Sequence, residues 1–211
     1  MNKHQTKVGL GNKFLYWVGK SLLTVMGWKI EGQLPDTPKY VCIGAHHTST
    51  WDLPIFLAAA AVISDGFVYF KPRWLGKHTI FQSPLGPLAR QLGGIPVNRM
   101  VGHHIVKAVL QGFKQNEQFI FVIAPEGTRK KVSHWKGGFY FIAKAASVPI
   151  VCGFLDYKRK VAGIGPVVTP SGDVDADMAQ MRVFYSTVTP KYPDRAGEVK
   201  LVEKDLAPFG Q

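Results

Sequence analysis

The sequence predicts an α/β fold: a single domain with a largely parallel central sheet flanked by helices, plus an N-terminal amphipathic helical segment. Three observations carry that expectation. Short apolar runs rich in β-branched and aromatic residues, at 40–45, 118–124 and 149–155, alternate with stretches of helical periodicity. Glycine and proline punctuate the intervals, as in Ser83-Pro84-Leu85-Gly86-Pro87. At 211 residues the chain can fill one core and is short for two.

Taken in order, residues 8–29 read as one or two amphipathic helices. Phe14, Leu15, Val18, Leu22, Val25 and Met26 recur at helical spacing, with lysines between them and Trp17 and Trp28 close by. Such a stripe packs on a domain, or lies in a membrane interface with rings at headgroup depth and lysines on acidic lipid. Both readings stand on this segment alone. It gives a division into an N-terminal segment, 1–32, and a domain, 33–211. A strand at 40–45 runs into a helix reaching about Ile63. Thr48, Ser49, Thr50 and Asp52 all suit its cap, and Pro54 its first turn.

A second strand is expected at 66–70, ending at Lys71, then a short helix and turn over 73–92. Residues 93–97 form an extended piece leading to Arg99, and 102–115 a helix. A buried strand at 118–124 ends in the turn Pro125-Glu126-Gly127-Thr128-Arg129. A helix over 137–147, a buried strand at 149–155 and an edge strand at 161–169 follow. Asp173 opens a last helix with Met178, Met181 and Tyr185 in line, and beyond Pro190 the pattern weakens. In a parallel sheet, functional groups gather at the carboxyl ends of strands. His47, Lys71 and Arg129 each follow an expected strand end.

Composition narrows the function. With 46% hydrophobic and 19% charged residues the chain is globular rather than disordered. Its formal net charge of +12 favours anionic partners: nucleic acid, an acidic membrane surface or phosphorylated substrates. Cys42 and Cys152 lie in apolar strand-like runs, which suits free buried thiols in a reducing compartment. The N-terminus lacks a convincing secretory signal, and no apolar run reaches the roughly 18 residues of a spanning helix.

The chemistry concentrates in three places. His47 and Asp52 are five positions apart, between a strand and a helix. A neutral imidazole can take a proton from a hydroxyl near pH 7, and a carboxylate behind it fixes the tautomer and stabilises the imidazolium. Such a pair suits acyl transfer to an alcohol. Arg99 follows Gly94-Ile95-Pro96-Val97-Asn98, and Arg129 closes Glu126-Gly127-Thr128-Arg129. A guanidinium offers phosphate a planar fork of paired hydrogen bonds. Glu126 cannot hold phosphate but can fix an arginine or a loop backbone, and Gly127 permits a tight turn and close approach by a ligand. Singly, each pattern is usually a satisfied pair or a solvated charge. Their order and spacing together carry the argument.

These stretches resemble the glycerolipid and lysophospholipid acyltransferases of the PlsC type. The family's first motif, a His and an Asp separated by four residues, is matched by His47 and Asp52. Its second is matched by Gly94 to Arg99, its third by Glu126 to Arg129, and its fourth, apolar with a central proline, by Val148-Pro149-Ile150-Val151. The resemblance runs from about Val41 to Leu155. Asn98 stands where the family often has Asp, and Lys130 where many members have Ser.

The resemblance implies a 1-acylglycerol-3-phosphate O-acyltransferase-like enzyme of phospholipid biosynthesis. His47 would be the general base on an acceptor hydroxyl, oriented by Asp52. The hydroxyl would attack a thioester donor, acyl-CoA or acyl-carrier protein, as co-substrate, with no further cofactor, no metal and no acyl-enzyme. That agrees with the lack of a Gly-x-Ser-x-Gly elbow. Lys71, Arg99, Glu126, Gly127, Thr128 and Arg129 would bind or shape the site for a lysophospholipid acceptor. Lys71 resembles a family lysine between the first two motifs, suited to phosphate or to the tetrahedral oxyanion, and Lys136 is a weaker candidate of that kind. Partners would be the donor, with acyl-carrier protein itself as one form of it, the acceptor and an acidic membrane surface, and no nucleic acid. The expected location is the cytoplasmic face of the cell membrane, peripheral or monotopic.

Competing readings are a basic nucleic-acid-binding module, a metal-dependent hydrolase on His46, His47 and Asp52, and a non-catalytic lipid-binding relative. The first accounts for the charge but not for Glu-Gly-Thr-Arg or the His-Asp pair. His46 reads as a structural neighbour of His47. His103-His104 lacks partners at ligand spacing for zinc. Lys130-Lys131 and Lys158-Arg159-Lys160 read as solvated faces, or as contacts to acidic lipid.

Overall fold

A computed structural model describes residues 9–67, 72–97 and 102–202 of the chain, with the side chains of Val97 and residues 102–104 left undescribed. The sheet is built outward from β2 (Lys39–Ala45), whose Val41, Cys42 and Ile43 are fully buried. Its alternation divides the core in two. Val41, Ile43 and Ala45 face one cluster, with Phe121, Phe139, Met181 and Tyr185; Tyr40 and Cys42 face the other, with Trp74 and Val122. A strand buried on both faces reads as a continuous apolar run, which is why β2 is plain in the sequence.

Seven strands lie in the order β1-β7-β6-β2-β5-β3-β4. β5 (Phe119–Ile123) and β6 (Ile150–Asp156) flank β2, both parallel to it. β3 (Pro72–Lys77) and β4 (Gly94–Val97) extend the parallel sheet beyond β5. On the other side β7 (Val161–Val168) returns antiparallel to β6, and β1 (Lys29–Glu31) pairs parallel with β7. The sheet is thus the largely parallel one expected, reversed over its last two strands. Because Ile43 is level with Ile123, the segments after β2 and β5 leave the same edge side by side.

Two expectations require correction. The strand expected at 66–70 does not begin there: Asp65, Gly66 and Phe67 all take positive φ (50°, 76° and 68°) and form a turn. Residues 68–70 lie outside the described residues, and the next described strand is β3, which from Arg73 onward falls in the stretch expected to be helix and turn. Pro72, Trp74 and Gly76 are buried while Arg73 and Lys77 are exposed, a period of two that Gly and Pro obscure in the sequence. Two short helices, α3 (His78–Gln82) and α4 (Gly86–Gln91), then return to β4. Nor is β7 an edge, because three residues after the first helix cover it; so short a strand leaves no periodic trace. Those residues fall within the segment bounded at 32.

α1 (Leu10–Val25) and α2 (Asp52–Ile63) pack together on one face of the sheet. α2 is apolar all round because it lies between the sheet and α1, with Ile55 and Ala58 to Ala61 buried. The contact is close: a Cβ on Gly19 would stand 2.8 Å from the Ala58 carbonyl oxygen. α1 buries only Gly19 and Leu23, leaving Leu10, Phe14, Trp17, Val18 and Val25 exposed along its outer side. α5 (Gly102–Gln115), α6 (Gly138–Ala146) and α7 (Val174–Tyr185) serve the other face. Asp173 caps α7, its carboxylate accepting from Ala176 N at 3.0 Å. Among the described residues no helix is long and apolar enough to cross a membrane.

Gly19→Val should force α1 off the Ala58 carbonyl and destabilise the protein by about 1–3 kcal/mol. Thermal unfolding should show a drop of several degrees, whereas Gly11→Ala, with nothing within 4 Å of the added carbon, should not lower the midpoint.

Candidate active site

β2 ends at Ala45, and residues 46–51 carry the chain along the carboxyl edge of the sheet to α2. His47 Nδ1 lies 3.0 Å from Asp52 Oδ2. An ionised carboxylate only accepts, so Nδ1 carries the proton and donates, leaving the Nε2 lone pair as the basic site. The His47 side chain is 29% exposed and that of Asp52 7%, so a substrate can reach the ring while its orienting carboxylate is shielded. Asp52 opens α2, where the helix dipole favours negative charge. Its Oδ2 also accepts from Thr48 N and Ser49 N, both at 2.9 Å, and its Oδ1 from the Tyr157 hydroxyl at 2.7 Å. No side chain caps α2; the Asp52 carboxylate ties back the preceding loop instead.

A second buried carboxylate lies on the opposite side of the same loop. Glu126 is 1% exposed and follows β5. Its Oε1 accepts from His46 Nδ1 at 3.0 Å and from Gly197 N at 3.1 Å, and its Oε2 from His47 N at 2.6 Å. The adjacent histidines therefore serve different acids: His46 pairs with Glu126, His47 with Asp52. Beneath His46 lie Trp135, fully buried, and Tyr185, at ring-centroid distances of 6.3 and 5.8 Å. Tyr185 donates to the Gly153 carbonyl at 2.9 Å, which ties α7 to the sheet under the site.

The turn after Glu126 is tight, with Gly127 N donating to the Ala124 carbonyl at 3.0 Å. Gly127 has φ +63°, and a Cβ there would come within 3.2 Å of Lys136 Nζ. The Lys136 ammonium thus lies over the turn, and the residue's backbone N–H donates to the Pro125 carbonyl at 2.9 Å. Arg129 is exposed on this turn, and Thr128 Oγ1 accepts from Lys130 N at 3.3 Å. Lys71, Asn98 and Arg99 lie outside the described residues, as do the side chains of His103 and His104.

Several residues here escaped sequence reasoning. Lys77 ends β3, level with Val97 and exposed at the carboxyl edge. A correct strand assignment would have found it. Tyr157 directly follows β6, a signal no stronger than for any strand-end tyrosine. The irregular segment 189–201 gave none, yet it crosses the site: Tyr192 N donates to Thr48 Oγ1, Gly197 N to Glu126, and Trp135 N to the Lys200 carbonyl. In the 158–160 cluster, Arg159 is tied to Asp156 and Glu31, and Lys160 to the Met26 carbonyl. Burial pushes the Cys42 and Cys152 thiols up to about 12, so neither supplies a thiolate nucleophile near neutral pH. Among the described residues no group of three or more His, Cys, Asp or Glu could hold a metal ion.

Glu126→Ala should strand the buried His47 and Gly197 N–H groups and cost about 3 kcal/mol or more. Because the carboxylate faces inward and ties three segments together, its loss should lower the melting temperature by several degrees, as thermal unfolding can determine.

Comparison with known proteins places the chain in a family. The family model described as Acyltransferase matches residues 28–153, more than half of the chain. A search of curated proteins finds no match. Among solved structures, the crystal structure of the 1-acyl-sn-glycerophosphate (LPA) acyltransferase PlsC from Thermotoga maritima is similar, with a TM-score of 0.57. The two share 20% sequence identity over 81% of this chain and 74% of that one, a likeness of fold. Since the matched stretch takes in both the His47–Asp52 pair and the Glu126–Arg129 turn, the chain belongs to the acyltransferase family.

Proposed function

We propose that this acyltransferase moves a fatty acyl group from a thioester donor, acyl-CoA or acyl-carrier protein, to the hydroxyl of a lysophospholipid such as 1-acylglycerol-3-phosphate. The observation that carries the reading is the His47–Asp52 pair, with Nδ1 engaged and the ring open to solvent. The acceptor hydroxyl gives its proton to Nε2 as its oxygen attacks the thioester carbonyl. The tetrahedral oxyanion collapses, the C–S bond breaks, and the leaving thiolate takes the proton back from the imidazolium. The hydroxyl itself is the nucleophile, so no acyl-enzyme forms, and no cofactor beyond the donor is required.

On this reading Arg129 and Lys136 take the acceptor's phosphate at the Gly127 turn, which the exposure of Arg129 and the nearness of the Lys136 ammonium to that turn support, with Lys77 along the same edge. Arg99 and Lys71 complete the proposed set. The choice of a phosphate-bearing acceptor rests on this density of cations. The name of the Thermotoga maritima protein agrees with that substrate class.

The exposed side of α1 supports peripheral or monotopic docking on the cytoplasmic face of the cell membrane. Phe14, Trp17 and Val18 project outward, and Lys20 lies over the Tyr16 and Trp17 rings at 5.6 and 5.0 Å. Rings at headgroup depth with basic residues on acidic lipid would bring insoluble acyl chains to the site.

The test is a labelled acyl-donor transfer assay over a panel of lyso-lipids. His47→Ala should lose about 10²–10⁴ in kcat, and transfer at the wild-type rate would refute the base assignment. Arg129→Ala should raise the KM for acceptor far more than it lowers kcat. Phe14→Glu should weaken sedimentation with acidic vesicles while leaving transfer to a detergent-dispersed acceptor intact.

A further inference from the structure

The geometry points to Tyr157 as a positioning residue for acyl transfer, its hydroxyl holding Asp52 Oδ1 and so setting how strongly that carboxylate draws on the His47 ring. This rests on the proposed role of His47 as base. Tyr157 lies outside the stretch matched by the family model, on the turn between β6 and β7.

Asp52 is asymmetrically loaded. Oδ2 is shared by three N–H groups, from His47, Thr48 and Ser49, while on Oδ1 the structure places the Tyr157 hydroxyl, at 2.7 Å. The phenol is fixed from several directions. Its ring meets Trp28 edge-on at 4.9 Å, and its backbone N–H donates to the Thr189 carbonyl at 2.8 Å. Lys191 Nζ lies 5.9 Å from the Tyr157 ring and 5.7 Å from that of Trp51. Burial first, then the bond to Asp52, push the Tyr157 phenol well above its usual range, so it remains a proton donor throughout the working pH.

Without that donor, a shielded carboxylate oxygen keeps its charge with less compensation. The carboxylate becomes more basic, pulls harder on Nδ1–H and makes the imidazole hold a proton more tightly. Among the described residues, the other titratable groups facing this cluster are Lys191 and Tyr192 from the C-terminal segment, and His46 with Glu126 across the loop. None of them reaches Oδ1 in the structure. In this arrangement the Tyr157 hydroxyl shares the load on Asp52 while the carboxylate orients the His47 ring.

Tyr157→Phe in the full chain tests this. The acid limb of kcat/KM should move to higher pH by about half a unit to one unit, which is roughly a 3- to 10-fold loss below the limb. The KM for acceptor should stay near that of wild type. A ring-fluorinated tyrosine at 157, a stronger donor of nearly the same shape, should move the limb the opposite way, and it carries the test if the Phe variant fails to fold. The NMR titration midpoint of the His47 ring should move in the same two directions. That measurement needs no substrate, so it separates failure of this inference from failure of the acyl-transfer reading. Midpoints that coincide in all the folded proteins, or a lowered melting temperature with an unmoved pH profile, would overturn the positioning role.

Discussion

The buried carboxylate of Glu126 is the constraint on which the site depends. Three donors from two distant parts of the chain converge on it: the His46 ring, the His47 backbone and the Gly197 backbone. A shielded charge left unpaired is far costlier than any single contact is favourable. The end of β2, the turn after β5 and the C-terminal segment must therefore assemble together. His47 is then held by its backbone from Glu126 and by its ring from Asp52, so its orientation is set from both sides before a substrate arrives.

The same device recurs through the fold. Among the described residues the buried charges are all carboxylates: Asp52, Glu126, Asp156 and Asp177. Each gathers loop backbone. Asp156 accepts from Lys158 N and Arg159 N, and Asp177 from Ser171 N and the Tyr140 hydroxyl, whose titration is pushed up to about 12 by burial and by that bond. With these acids turned inward, the surface is left still more positive than the formal +12 of the whole chain.

The extent to which the sequence disclosed this follows from the kind of interaction involved. β2, β5, β6, α2, α5, α6 and α7 were legible because burial on one face or two writes a periodic apolar pattern. β3 was misplaced because Pro72 and Gly76 occupy its inward positions in place of branched residues. β1 has three residues, too few for any period. The order of strands, and the reversal at β7, is a property of pairing between distant segments and leaves no local mark. Of the site, the pairing of His47 with Asp52 could be anticipated because its partners are five residues apart. The bond from Tyr157 to Asp52 spans 105 positions, and those from Tyr192 and Gly197 use backbone N–H groups, which every residue but proline carries.

The seam between α1 and α2 has a mechanical consequence. Gly19 lets the two helices touch backbone to backbone, and α2 is the helix whose first residue is Asp52. A load applied to the outer rings of α1 is therefore delivered, with little slack, to the scaffold of the His47–Asp52 pair. On the proposed reading, the depth at which those rings settle fixes the height of the imidazole above the lipid phase. On that same reading, bilayer composition would become a variable of turnover, acting through a lever two helices long.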